Sequence, residues 1–492
     1  MGPNIRVKSL LALGAGILGT LAFSPFNLWW ASLISLALWM WLTIKHPGFL
    51  IGWIYGLGFF GSGVSWVSVS MTEHGGASIP LAFAMTSLFA SGLAVFPGLA
   101  SLGYASWSKR WSTTLGQACL LTACWVTMEA FRSWFLTGFP WLLFGYTALD
   151  NPFEGYLSWI GVFGTSALIA LTAGGLLASV IQRQASPLLL PTVILSTGLA
   201  LDAQFEPSDD SSEATQIALW QPVIRQSEKW KPEFRSQIVN RHVTQGLPSD
   251  VAIIIWPETA LPMTESQVNP TLPDLDLLLQ SNEQTLITGV LGQTQGRYTN
   301  RLITLGIGQG SYDKTRLVPF GEYVPLESLL RGLIAFFDLP MSAIIAGPER
   351  DLLTHGPLRF APLICYEIAY TGQTRELAAD ANVILTVSNH TWFGDSLGPD
   401  QHLQIAQIRA RELGKPVVRA TNDGPTAFIN ARGQVDKVLP RFEPAVLTHT
   451  VIPARTVTPY SQAGEAPLII LLILISTLTR RNEASMIGRA HV

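Results

Sequence analysis

Apolar segments of similar length recur through the first part of the chain and return once near its end. A helix needs roughly 20 apolar residues to cross the hydrocarbon core of a bilayer, which is about 30 Å thick. The pattern therefore predicts a polytopic α-helical membrane domain with about eight spans. The predicted spans are residues 8–24, 27–44, 49–70, 79–103, 114–135, 156–181, 187–203 and 464–479.

The composition agrees with a membrane protein. Of the 492 residues, 13% are charged, 48% are hydrophobic and 16 are tryptophan. The charged share is about half of what soluble proteins usually carry. A formal net charge of -3 gives no reason to expect nucleic acid as a partner. The length exceeds that of one ordinary domain, so at least two units are expected.

The basic residues between the predicted spans indicate the orientation. If the spans alternate in direction, these residues share one face, and lysine and arginine are enriched on the cytoplasmic face. Seven spans precede residues 204–463, so this segment is predicted to lie outside the cytoplasm. No A-x-A-like cleavage site follows the first span, and we expect it to stay as an anchor. The basic residues are Arg6, Lys8, Lys45, Lys109, Arg110, Arg183, Arg480 and Arg481.

The character of the chain changes after residue 203, where the polar linker FEPSDDSSEAT begins. Short β-rich runs then alternate with helical stretches, which predicts one α/β domain over residues 204–463. Residues 1–203 form the predicted transmembrane domain, 464–481 a C-terminal transmembrane helix and 482–492 a cytoplasmic tail. The predicted strands are 216–220, 251–256, 285–291, 301–306, 359–364, 383–388, 416–420 and 426–430. The predicted helices are 228–244, 272–281, 371–379 and 399–413.

Three polar residues lie beside predicted strands, where α/β folds usually place their working residues. Glu258 follows VAIIIW, Lys314 lies in YDKTRLVPFGEYVP, and Cys365 ends RFAPLI. A thiol with a pKa of about 8.5 needs a base or a nearby cation to become thiolate. Glu258 is suited to take that proton, and Lys314 to stabilise the thiolate and an oxyanion. Taken singly, each residue also has an ordinary interpretation, as a surface carboxylate, a solvated lysine or an inert buried thiol.

The other cysteines and two histidines give no further chemistry. Cys119 and Cys124 lie in an apolar stretch and are interpreted as small buried hydrophobes. His390 and His402 lack the spacing of a zinc site, so we interpret them as loop or helix-surface histidines. We expect no metal and no dissociable cofactor.

The sequence around the three polar residues is more specific than the residues themselves. The motifs WPETALP, KTRLVPFGEYVP and ICYE, in this order and at these separations, resemble the Glu–Lys–Cys signature of the nitrilase (carbon–nitrogen hydrolase) superfamily. Over nearly its full length, the chain resembles the membrane branch of that superfamily, the bacterial apolipoprotein N-acyltransferases. Further matching stretches are FSPFNLWW, GFFGSGVSWVSVS, GFPWLLFGY, SNHTWFGDSLGPDQHLQIAQIRARELGKPVVRATNDG and TPYSQAGE.

The resemblance implies a nitrilase-like αββα sandwich with a catalytic triad. Glu258 would be the general base, Lys314 the cation that stabilises the oxyanion, and Cys365 the nucleophile. The family's second glutamate, which helps to position the triad, corresponds to Glu322.

The resemblance also implies roles for residues around the triad. Tyr366 and Glu367 match residues that the family needs directly after the nucleophile. Trp230 and Trp392 match tryptophans on mobile loops near the active site, although ordinary packing would also explain them. Two departures affect the details of these loops: His390-Thr391 stands where the family commonly has Asp-Ala, and Pro425 stands where a more hydrophobic residue often follows glycine.

The implied reaction has two steps. Cys365 would take an acyl chain from a membrane phospholipid, and the α-amino group of the diacylglyceryl-cysteine of an apolipoprotein would then take it from the thioester. The resemblance implies a multi-pass protein of the bacterial inner membrane with its catalytic domain on the periplasmic side, and no feature demands more than a monomer. Two alternatives stay open: a membrane-tethered amidase or nitrilase that uses water, and a transporter or scaffold with a nitrilase-like appendage.

Overall fold

The computed structural model describes residues 3–208, 211–268, 272–294, 296–319, 321–323, 344–347, 351–470 and 472–473. Its residues form two compact units, each of which collects segments that are distant in sequence. One unit comprises the described residues of Met1–Ser68, Pro80–Phe205 and Thr458–Val492, and the other comprises those of Val69–Ile79 and Glu206–Val457. The second unit therefore includes a short segment from between two predicted spans.

The first unit is helical, as the apolar segments predict. Its long helices coincide with the first seven predicted spans. They are α1 (Pro3–Thr20), α2 (Trp30–Lys45), α3 (Phe49–Gly63), α4 (Ile79–Trp107), α5 (Thr114–Arg132), α6 (Leu157–Gln182) and α7 (Leu189–Ala203). Of the eighth predicted span, 464–479, residues 471 and 474–479 lie outside the described residues, and the predicted tail, 482–492, lies entirely outside them.

Length and apolarity identify fewer membrane spans than the sequence predicts. Among the described residues, three helical stretches are long and apolar enough to cross a membrane: Ile79–Arg110, Glu154–Gln182 and Ser186–Ala203. A fourth is counted if Phe49–Gly63 and Val67–His74, which are bent by 59°, form one broken span. The count of about eight spans therefore stays a prediction, while the helical character of the domain is confirmed.

Glycines allow α1 and α3 to approach each other closely. A Cβ atom at Gly16 would lie 2.1 Å from the carbonyl oxygen of Tyr55, and one at Gly58 would lie 2.1 Å from that of Leu13. Small residues at such contacts let helix backbones pack directly, which is a common way for helices to associate in a membrane. Substitution of either glycine would force the two helices apart.

The second unit contains two six-stranded sheets. The first has the order β12-β1-β2-β3-β4-β5 and the second the order β11-β10-β9-β8-β7-β6. In each sheet three neighbouring strands are parallel, β1-β2-β3 and β7-β8-β9. The strands are β1 (Thr215–Gln221), β2 (Ile253–Ile255), β3 (Thr285–Thr294), β4 (Arg297–Gly306), β5 (Ser311–Asp313), β6 (Leu353–His355), β7 (Leu358–Ile364), β8 (Val383–Ser388), β9 (Val417–Thr421), β10 (Ala427–Ile429), β11 (Val435–Val438) and β12 (Ala445–Val451).

Helices cover the outer faces of the two sheets. The sheets contact each other through β1 and β9. Helix α9 (Leu272–Ser281) contacts β3 and β4 of the first sheet. In the second sheet, α10 (Thr371–Ala378) contacts β7 and α11 (Gly398–Leu413) contacts β9. The four layers confirm the predicted αββα sandwich. The main helices of this unit are α8 (Arg235–Gln245), α9 (Leu272–Ser281), α10 (Thr371–Ala378) and α11 (Gly398–Leu413).

Burial on both faces explains why the central strands are continuously apolar. Ile253, Ile254 and Ile255 in β2 are all completely buried. Successive side chains of a strand point to opposite faces, so Ile254 faces the helix layer, where it joins a core with Trp220 and Trp256. This packing fixes the ends of the parallel strands, from which the polar residues of the site project.

One predicted helix is wrong in its extent. The predicted helix 228–244 is divided into the short helix Gln226–Lys229 and α8, with Pro232 between them. Proline lacks the N–H needed inside a helix and clashes with the preceding turn, so the helix restarts after it. The break leaves Lys229 at the end of the short helix and Trp230 in the turn that follows it.

Candidate active site

Glu258 follows β2 at the carboxyl end of the first sheet and is only 8% exposed. Its Oε1 accepts a hydrogen bond from Nδ2 of Asn300 at 2.8 Å. Its Oε2 accepts one from the backbone N–H of Asn389, also at 2.8 Å. These donors come from β4 and from the segment after β8, so the carboxylate is held between the two sheets.

Lys314 follows β5 and brings a buried cation to the same place. Its Nζ lies 2.8 Å from Oε1 of Glu322 and 3.7 Å from Oε1 of Glu258, with 1% of the side chain exposed. Burial alone would lower the pKa of Lys314, but the carboxylates of Glu322 and Glu258 outweigh burial and raise it. The lysine therefore carries its proton throughout the physiological range.

Glu322 is fixed by the loop that carries it. Its Oε2 accepts a hydrogen bond from the backbone N–H of Val318 at 2.8 Å, while its Oε1 binds Lys314. Asn300 Nδ2 lies 3.3 Å from Oε1 of Glu322, so this amide contacts both glutamates. The sequence analysis missed Asn300, because a single polar residue in a strand carries no signal of its own.

Cys365 begins the turn that follows β7, and its backbone is unusual. Its φ angle of 57° lies in the left-handed region, which a residue other than glycine adopts at a cost of order 1 kcal/mol or more. The residue is partly exposed to solvent. The left-handed turn thus places this residue directly after β7, at a partly exposed position.

The surroundings of Cys365 favour the neutral thiol in the unliganded site. Burial of its side-chain environment is the largest cause, and with the negative charge of Glu258 it raises the pKa of Cys365 to about 12. Lys314 acts in the opposite direction but does not outweigh the other two. A neighbouring base is therefore needed to form the thiolate at neutral pH.

Glu367 connects the turn of Cys365 to the loop of Lys314. It is completely buried, and its Oε2 accepts a hydrogen bond from the N–H of Ile364 at 2.8 Å. Its Oε1 accepts hydrogen bonds from the backbone N–H groups of Thr315 and Arg316, at 2.8 and 3.0 Å. One carboxylate thus links Ile364, which precedes Cys365, to Thr315 and Arg316, which follow Lys314.

The remaining residues singled out by the sequence lie around this centre. The ring of Tyr366 packs edge-on against Tyr370 at 5.3 Å. Trp230 follows Lys229, whose Nζ donates to the backbone carbonyl of Glu258 at 3.1 Å. The carbonyl of Trp392 accepts a hydrogen bond from Oγ of Ser70 at 2.6 Å. For the two tryptophans the described contacts are with protein groups, and their loop roles stay predictions.

The two histidines are not surface residues, so that interpretation was wrong. His390 and His402 are 0% and 3% exposed, and Nε2 of His390 lies 2.8 Å from Nδ1 of His402. His402 Nε2 lies 3.1 Å from the carbonyl oxygen of Cys365. Within the part of the chain that the structure describes, no group of three or more histidine, cysteine, aspartate or glutamate residues is arranged to hold a metal.

Comparison with known proteins agrees with both halves of the chain. Residues 15–175 match the family model of the apolipoprotein N-acyltransferase N-terminal domain, and residues 216–458 match that of the carbon–nitrogen hydrolases. An apolipoprotein N-acyltransferase of Pseudomonas aeruginosa is 41% identical over 97% of this chain and 98% of its own. One of Azotobacter vinelandii is 40% identical over 98% and 97%.

Solved structures include similar folds at low identity. A carbon–nitrogen hydrolase superfamily protein of Xanthomonas campestris is 18% identical, with a TM-score of 0.36 that covers 53% of this chain and 97% of that one. The assignment of this protein rests on the sequence matches, which extend from the helical unit through the sandwich. The chain belongs to the apolipoprotein N-acyltransferase family.

Proposed function

We propose that this protein transfers an acyl chain from a membrane phospholipid to the α-amino group of the diacylglyceryl-cysteine of apolipoproteins, through a thioester on Cys365. The observation that carries the proposal is the buried arrangement of Lys314, 2.8 Å from Glu322 and 3.7 Å from Glu258. Lys314 supplies a cation, and Glu258 supplies a carboxylate that can act as a base. Acyl transfer through a thiol requires both. Family membership supplies the two substrates.

In the first step Glu258 takes the proton of Cys365, and the thiolate sulfur attacks the carbonyl carbon of the phospholipid ester. Lys314 stabilises the oxyanion that forms. The bond between that carbon and the glycerol oxygen then breaks, and Glu258 returns the proton to the departing oxygen. The products are a lysophospholipid and a thioacyl-enzyme.

In the second step the amine of the acceptor attacks the thioester carbon. Glu258 accepts a proton from the amine, the carbon–sulfur bond breaks, and the proton passes to the sulfur. The amide product leaves and Cys365 is again a thiol. A covalent intermediate shared by two substrates that bind in turn predicts ping-pong kinetics.

The helical unit supports a membrane location for this reaction. Both substrates carry acyl chains, and each CH₂ group moved from lipid into water costs about 0.8 kcal/mol. We propose a multi-pass protein of the bacterial inner membrane that works as a monomer, with residues 204–463 on the periplasmic side. The support for this orientation is the distribution of basic residues between the predicted spans.

Mass spectrometry of the intact protein tests the proposal. The purified full chain is incubated in detergent micelles with dipalmitoyl phosphatidylethanolamine, and a palmitoyl adduct is expected on Cys365. Cys365→Ala should lose the adduct and all transfer to a diacylglyceryl peptide, whereas the matched variant Cys124→Ala should keep both. If the Cys365→Ala protein still transfers acyl chains, Cys365 is not the nucleophile. If the thioester reacts with water as fast as with the peptide, the protein is a hydrolase.

A further inference from the structure

Three basic side chains form a buried cluster behind Cys365. His390 begins the turn after β8, His402 lies in α11, and Arg419 lies in β9. Their exposed fractions are 0%, 3% and 0%. The mechanism above uses none of them, and burial of an arginine cation is costly unless it is paired or hydrogen-bonded.

A backbone carbonyl group lies beside each of the two imidazoles. A carbonyl oxygen only accepts, so His402 Nε2, at 3.1 Å from the oxygen of Cys365, carries a proton. His390 Nδ1 lies at the same distance, 3.1 Å, from the oxygen of Gly424. Burial, followed by the charge of Arg419, holds the pKa of each histidine well below its usual range. Both rings are therefore neutral.

Arg419 completes this arrangement. His390 Nε2 lies 2.8 Å from His402 Nδ1, a distance typical of an N–H···N hydrogen bond in which His390 donates to the free nitrogen of His402. Arg419 Nη2 lies 3.1 Å from His402 Nδ1, and 3.2 and 3.4 Å from Nε2 and Nδ1 of His390. The guanidinium thus contacts both rings. His402 in turn donates a hydrogen bond to the carbonyl oxygen of Cys365.

Among the described residues, no carboxylate forms a hydrogen bond with Arg419. Its Nε donates to the carbonyl oxygen of Pro425 at 3.1 Å, and in the described structure its Nη1 has no hydrogen-bond acceptor. The groups whose negative charge acts on it are Cys365, Asp400 and Asp423. A buried cation is stabilised by any anion that forms near it. The thiolate of Cys365 is such an anion, and it forms during the reaction.

We propose that Arg419 is a second cation of the active site, held by His390 and His402, which stabilises the thiolate of Cys365, while His402 fixes the carbonyl group of Cys365 in its left-handed turn. Both are positioning residues, because they act through Cys365 and not on the substrate. The inference rests on the proposed function only in taking Cys365 as the nucleophile. It predicts a measurable property of the thiol that needs neither substrate.

Several charged groups affect the ionisation of the Cys365 thiol. Glu258 and Glu322 disfavour the thiolate, whereas Lys314 and Arg419 favour it. The charged groups acting on the cluster itself are Asp400, Asp423, Arg441 and Lys314. His402 contacts both Arg419 and the carbonyl oxygen of Cys365, so substitutions at 419 and at 402 should have related effects.

The test is the rate at which iodoacetamide alkylates Cys365 between pH 7 and 9, in the full-length protein in detergent. Cys119→Ala and Cys124→Ala in the membrane unit leave Cys365 as the single thiol. Arg419→Gln should lower the rate at least about tenfold at each pH, which corresponds to a rise of one unit in the pKa of the thiol. Arg419→Lys, which keeps the charge, should retain more of the rate than Arg419→Gln.

Variants at His402 distinguish the effect of its hydrogen bond from the effect of its packing. His402→Phe fills the same space without a donor and should slow alkylation several-fold. His402→Gln should stay within about threefold of the parent, because its amide can donate to the carbonyl of Cys365 and accept from Arg419. His242→Gln is the matched control, since His242 is equally buried but bonds Trp220 in the first sheet. This control should alkylate at the parent rate.

Two outcomes overturn the inference: parental alkylation in folded Arg419→Gln, or equal rates in His402→Phe and His402→Gln. If Arg419→Gln fails to fold, the comparison of Arg419→Lys and the His402 pair with the parent decides. The proposed function fails separately, through acyl transfer by Cys365→Ala. Normal transfer chemistry with unaltered alkylation in the cluster variants would remove this inference alone.

Discussion

The ammonium nitrogen of Lys314 lies 2.8 Å from Oε1 of Glu322, in an ion pair that is almost completely buried. The same nitrogen is 3.7 Å from Glu258, whose oxygens are held by the neutral donors Asn300 and Asn389. A direct ion pair opposes protonation of a carboxylate. By holding the lysine, Glu322 leaves Glu258 able to act as a base.

Glu322→Gln should therefore impair both activity and stability. Without the second carboxylate, Lys314 would pair with Glu258, and the rate of acyl-enzyme formation should fall at least about tenfold. Breaking a buried ion pair should also cost about 3 kcal/mol of folding free energy. Rapid-quench mass spectrometry and thermal unfolding measure the two effects.

A matched control for this variant is Glu265→Gln. Glu265 pairs with Arg301 at 3.1 Å, but 46% of its side chain is exposed. Such exposed pairs contribute about 1 kcal/mol or less. This control should keep the parent rate, and a Glu322→Gln protein that acylates equally fast would contradict the role given to Glu322.

Glu258→Gln should have opposite effects on two reactions of Cys365. Burial and the charge of Glu258 raise the pKa of the thiol to about 12, so removal of that charge should lower this pKa. Alkylation by iodoacetamide below pH 9 should then become faster. Acylation by phospholipid should be lost, because the leaving oxygen has no proton donor. Loss of both reactions together would show that Glu258 mainly supports the structure of the site.

Much of the fold was predictable because local signals and tertiary packing agree. All eight predicted strands have counterparts, and six of them, β1 to β3 and β7 to β9, lie in the parallel parts of the sheets, where buried strands are apolar over their whole length. The four additional strands are short or lie at or near sheet edges, such as β5 and β6, and their sequences SYD and LTH show no strand pattern. Their pairing depends on neighbours that only the folded chain supplies.

The candidate site was predictable only where motifs mark it. Glu258, Lys314 and Glu322 lie in recognisable runs, and the structure brings them together. Asn300 lies 42 residues from Glu258, and nothing in its own neighbourhood indicates that contact. The histidines were misjudged for a related reason: the absence of metal-site spacing excludes one function but says nothing about burial.

Glu367→Gln should disturb the turn of the nucleophile without touching the triad. Both oxygens of Glu367 accept from backbone N–H groups, those of Ile364 and Thr315 among them. An amide must turn its NH₂ group toward some of these donors, which should cost about 1–3 kcal/mol. Acyl-enzyme formation should slow while the affinity for phospholipid stays unchanged. The exposed variant Glu283→Gln should change neither, and a shift confined to phospholipid affinity would argue against a positioning role.

Lys229 should give the protein a stability that depends on pH above neutrality. Burial lowers the pKa of Lys229 to about 8, although Glu258 and Asp423 act in the opposite direction. An unfolded lysine titrates near 10.4, so between pH 8 and that value the unfolded chain holds a proton that the folded chain has released. Stability from this group is therefore complete above the unfolded pKa and is lost as the pH falls through 8, by up to about 3 kcal/mol. In Lys229→Met the rise in thermal stability between pH 8 and 10 should become smaller, with the remainder due to Lys415, whose pKa burial also lowers to about 8, whereas exposed Lys231→Met should retain the whole rise. An unchanged rise in Lys229→Met would mean that Lys229 stays charged beside the carbonyl group of Glu258.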